Sequence, residues 1–81
     1  MNVSSYRINF EMNGQSHGCT VAKIEIEYFK PPVFYRVGAK SGHRDLTCQN
    51  GEWVVICGPP LRPELLKVLG AAIEKALEER D

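Results

Sequence analysis

The feature that most constrains this chain is a change of hydrophobic period at Pro63. Ahead of it, apolar residues recur at every second position in short runs; behind it they recur at intervals of three and four. Strand side chains alternate between two faces, whereas helix side chains return to one face every 3.6 residues. The chain therefore divides into a strand-forming part and one terminal helix.

In the first run Tyr6, Ile8, Phe10 and Met12 share one parity, and Arg7, Asn9, Glu11 and Asn13 the other. This is the pattern of a strand with one face toward a core and one toward water. Asn13-Gly14-Gln15-Ser16-His17-Gly18 turns the chain. Cys19 to Phe29 alternates again, with Ala22, Ile24, Ile26 and Tyr28 on one side and Lys23, Glu25 and Glu27 on the other. Keeping both apolar sets on one face asks for a three- or five-residue loop rather than a two-residue turn, because a slip of one residue moves every side chain to the opposite face. Lys30-Pro31-Pro32 ends this strand, since neither proline can donate to a ladder.

Val33 to Ser41 follows, with Val33, Tyr35, Val37 and Ala39 inward and Phe34, Arg36, Gly38 and Lys40 outward. After the turn Gly42-His43-Arg44, two short strands flank Asn50-Gly51, a dipeptide suited to a type I′ hairpin because both central residues need positive φ. That register sets Cys48 opposite Trp53 and Leu46 opposite Val55, with Leu46, Cys48, Trp53, Val55 and Cys57 on one face. Gly58-Pro59-Pro60 closes the sheet, and Pro63 and Glu64 suit a first helical turn. Leu65, Leu66, Val68, Leu69, Ala72, Ile73, Ala76 and Leu77 then form one apolar arc, with Lys67, Glu74, Lys75 and Glu78 opposite. The predicted fold is α+β: an antiparallel β-meander of about five strands with one C-terminal helix packed on one face. A single domain spans 1–81, with strands near 5–12, 19–29, 33–41, 45–49 and 52–57 and the helix near 63–79.

Size and charge narrow the function. A domain of 81 residues has a core that supplies roughly 3–5 kcal/mol without a staple. Three cysteines, Cys19, Cys48 and Cys57, do not make a closed disulfide framework. No basic segment followed by an apolar one opens the chain, and no apolar run approaches the ~20 residues that span a bilayer. A cytoplasmic protein with free thiols and no membrane contact is the expectation, and oligomerisation is the remaining way to add stability. Ten Lys+Arg balance ten Asp+Glu, against the net basic excess of a protein that coats nucleic acid or anionic lipid.

Four constellations are candidates for chemistry. His17, His43 and the three cysteines lack the Cys-x2-4-Cys knuckle of a structural zinc site, and Cys48 and Cys57 fall on the core parity, so neither metal nor cofactor is expected. Catalysis is not expected either: the carboxylates Glu11, Glu25, Glu27, Asp45 and Glu52 are scattered on the solvent parity, and Gly38-Ala39-Lys40-Ser41-Gly42 lacks the rest of a phosphate loop. Lys30 to Arg44 carries Lys30, Arg36, Lys40 and Arg44 with no acid, which permits an alternative nucleic-acid role for Arg36, Lys40 and Arg44. Against it, Glu25 and Glu27 would face Arg36 and Lys40 as ordinary cross-strand pairs. The fourth is an apolar surface. Val21, Phe29, Phe34, Val54 and Ile56 fall where polar residues belong, and aromatics with an arginine are typical interface anchors. Phe29, Phe34, Arg36, Val54 and Ile56 are therefore the candidate binding residues of a small interaction module. Its partner would be an unidentified protein or a second copy of the chain.

Overall fold

The computed structural model describes residues 1–38 and 42–80. Five antiparallel strands follow one another in a single sheet: β1 (Asn2–Met12), β2 (Gln15–Glu25), β3 (Val33–Val37), β4 (Arg44–Gln49) and β5 (Glu52–Cys57). One C-terminal helix, α1 (Pro63–Arg80), packs on the sheet, giving the α+β meander expected from the period change. The inward position expected for Ala39, the outward position expected for Lys40, and Ser41, the last residue of the expected third strand, lie outside the described residues.

The first hairpin departs from expectation. Asn13 and Gly14, with φ of 54° and 76°, make a two-residue type I′ turn closed by Met12 and Gln15. The unbroken register that follows sets Tyr6 opposite Val21 and Ile8 opposite Cys19. Val21, expected outward, is thereby fully buried under the helix, while Ala22 and Ile24 turn to the reverse face. β2 also begins and ends four residues before the expected 19–29, so Ile26 and Tyr28 lie in a loop rather than on a strand face.

On the helix side Ile8, Val21, Tyr35, Val37 and Leu46 meet Leu69 and Ile73. Pro63 opens the helix, and Leu66 N–H donates to Arg62 O at 2.9 Å. Gly70 lies on its buried face because Trp53 fills the space a Cβ would take, with Trp53 Cγ 2.5 Å from that position. The Trp53 ring also packs on Tyr35 at 5.3 Å, and its Nε1–H donates to Glu74 Oε1 at 3.1 Å. The hairpin, the sheet centre and the helix are joined at this one indole.

The second hairpin keeps the expected type I′ turn at Asn50-Gly51 and the pairs Cys48–Trp53 and Leu46–Val55. Past Val55 the register shifts, so that Cys57 rather than Ile56 pairs with Asp45. The extra residue is a β-bulge, and it moves Cys57 off the helix-side parity. Cys57 and Cys48 are both exposed, correcting the core position expected for them.

Candidate functional site

The reverse face has a small core of its own. Pairing sets Val3 beside Ile24 and Ile24 beside Phe34, while Thr47, next in the same row, pairs with Val54. Phe34 is only 4% exposed, and Ile24 and Thr47 are buried too. The loop between β2 and β3 supplies the cover: Phe29 stacks on Phe34 with ring centroids 6.0 Å apart. The loop is pinned across its base by Ile26 N–H to Pro32 O at 2.8 Å and folded tightly by Phe29 N–H to Ile26 O at 3.1 Å. Thr47 Oγ1–H donates to Val33 O at 3.1 Å, so the one polar side chain in the row is satisfied.

Phe34 is thus a core residue and not the bare anchor expected of it. Phe29 remains 54% exposed, Ile56 39%, and Val54 is half-buried. Beside Phe29, Tyr28 is 92% exposed, and Val3 and Met1 are also open. Tyr28 escapes a parity argument because β2 ends at Glu25, ahead of Lys30-Pro31-Pro32, so the strand alternation does not reach it.

Arg36 projects from the same face and holds Asp45 on β4 in a fork: Nε to Oδ1 at 2.8 Å and Nη2 to Oδ2 at 3.2 Å. The hydrogen bond to the Asp45 carboxylate raises the guanidinium's affinity for its proton above the ordinary arginine range. Its acidic partner is therefore Asp45, not Glu25 or Glu27; Glu25 pairs instead with Lys23 at 3.3 Å. Arg44 shares the parity of its pair Val37, opposite to Arg36, and its Nε donates to Pro59 O at 3.0 Å. Lys40 lies outside the described residues. Arg36 and Arg44 are not brought together on one face.

Elsewhere, a groove of about 400 Å³ opens between the second hairpin and the first half of the helix, lined by Trp53, Leu66, Ala71 and Glu74. Of its two carboxylates, Glu52 and Glu74, the second is already bonded to the indole. His17 stacks on Phe10 at 5.4 Å, and Cys19 is half-buried opposite Ile8. Among the described residues no three His, Cys, Asp or Glu side chains gather where they could hold a metal ion, and no helix is long and apolar enough to cross a membrane. Comparison with protein families, curated proteins and solved structures finds no match to this chain.

Proposed function

We propose that this chain is a small cytoplasmic interaction module that acts by protein–protein contact, in an accessory or regulatory role without catalysis of its own. The observation that carries this reading is the loop between β2 and β3. It holds two consecutive aromatic rings out of the sheet, Tyr28 fully open and Phe29 half seated on Phe34. A tied loop loses little conformational freedom on binding, and aromatic rings supply much of the energy of interfaces. As the protruding half of a contact, it calls for a partner protein with an apolar pocket for the two rings. Val54 and Ile56 extend the contact across the sheet, and Arg36 borders it. A nucleic-acid role is the weaker proposal, because the Arg36 charge is matched by Asp45 and Arg44 points the other way.

A photo-reactive phenylalanine analogue in place of Tyr28, expressed in cells, tests the proposal. A single heterologous adduct is expected at position 28 and none from the same analogue at Lys67 on the helix. Purified, that partner should bind the native chain at least about tenfold more tightly than Phe29→Asp. No adduct, or equal affinity for the variant, overturns the reading.

A further inference from the structure

The sheet is open, so β1 and β5 are its edges, and the two edges are unlike. β5 has six residues, a bulge in its pairing, and Gly58-Pro59-Pro60 at its end. Short length, bulges and prolines all blunt an edge against pairing. β1 has eleven residues in an unbroken register, with no proline, glycine or lysine. We propose that β1 is a self-association edge: two copies of this chain pair through it, antiparallel, about a two-fold axis at Asn9.

The register follows from the first turn. A type I′ turn closes on mutual hydrogen bonds between Met12 and Gln15. Alternation then directs the main-chain groups of even-numbered residues of β1 toward β2 and those of Val3, Ser5, Arg7, Asn9 and Glu11 outward. Pairing by a two-fold axis normal to the sheet keeps each side chain on its own face when paired numbers sum to an even value. The charges select among these registers. A centre at Arg7 sets Arg7 against Arg7 of the partner subunit, and a centre at Glu11 repeats the fault with carboxylates. A centre at Asn9 sets Arg7 opposite the partner's Glu11, twice. It also sets Ile8 opposite the partner's Phe10, and Tyr6 opposite the partner's Met12, on the helix side. Every charge and every apolar position of the overlap is matched.

A cleft of about 120 Å³ lies where the C-terminal half of α1 meets β1, lined by Arg7, Ile8 and Asn9 below and by Ala72, Lys75, Ala76 and Glu79 above. Both alanines are half-buried, as are Phe10 and Met12, so a strand added here removes further apolar surface from water. An edge that pairs with itself closes a dimer; an unlike pairing of β1 with β5 would propagate.

Sedimentation equilibrium of the 81-residue chain across a concentration series is the test, paired with amide exchange. The expected result is a reversible dimer in which the Arg7, Asn9 and Glu11 amides gain protection as concentration rises. Asn9→Pro removes an outward N–H without touching the β1–β2 ladder and should leave a monomer with an unchanged far-UV spectrum. Should Asn9→Pro fail to fold, the charge series decides. Arg7→Glu and Glu11→Arg should each raise the dimer Kd about tenfold or more, and the two together should restore it. A monomer throughout a series reaching about 100 μM overturns the proposal. So does a dimer indifferent to these variants, or one dissolved by Phe29→Asp instead.

Discussion

At the scale of single residues, Gly70 and Cys19 carry the most specific consequences. Gly70 is an interior helix position where alanine would ordinarily gain about 1 kcal/mol. Here the Cβ would overlap the Trp53 ring, so the indole must move from between Tyr35 and Glu74. Overpacking of this kind outweighs the propensity gain, and Gly70→Ala should lose about 1–2 kcal/mol in urea unfolding. Burial pushes the Cys19 thiol above its usual range, with Arg7 offsetting part of the effect. Burial pushes the Tyr35 hydroxyl up in the same way, opposed by Lys23 and reinforced by Glu25 and Cys48. Both groups are acids whose neutral form the folded state favours. The unfolded chain therefore releases these protons first, and the stability they contribute is complete below the unfolded values of about 8.5 and 10 and lost as pH rises past them. The urea midpoint should fall between neutral pH and about pH 10.5. Cys19 should also react more slowly with a thiol reagent than the exposed Cys48 and Cys57.

At the scale of elements, the contrast between Phe29 and Phe34 is decisive. The two rings touch, yet one belongs to a core and the other to a surface. Phe34→Ala should cost about 3 kcal/mol, most of the stability of a chain this small, while Phe29→Ala should cost about 1 kcal/mol or less. Denaturant titration of both variants checks this. The elements themselves were legible from the amino-acid pattern because period alone separates strand from helix. The Asn50-Gly51 hairpin was legible down to its pairs because its dipeptide admits few turns. The parity of β2 was not. Val21, Ala22 and Ile24 are all apolar, since this strand is covered on both sides, and such a run fits either face. Turn length alone decides it, and Asn13-Gly14 takes the two-residue option. The reverse-face core was hidden for a different reason: it depends on a seven-residue loop folding back over Phe34, a contact that no local pattern encodes. The bulge at Ile56 carries no glycine to announce it, so alternation alone places Cys57 on the wrong face. Of the candidate binding residues, Phe29, Val54, Ile56 and Arg36 do share the reverse side, with Phe34 beneath them and Tyr28 beside them.

At the scale of the whole molecule, the chain is a thin sheet with one helix, and its radius of gyration is 12.2 Å. No disulfide joins its cysteines. A fold of this size gains most from burial against another molecule, so a dimer through β1 makes thermal stability depend on concentration. The melting temperature should rise as protein concentration is raised and become independent of it in Asn9→Pro, as differential scanning calorimetry would show. These measurements come with a built-in optical reporter. The chain has one tryptophan, and it sits where the hairpin, the sheet and the helix converge, its N–H on Glu74. Its emission should shift to longer wavelength when the helix lifts away, even if the strands stay paired. Comparing fluorescence with the far-UV signal therefore reveals whether the helix and the sheet melt as one cooperative unit.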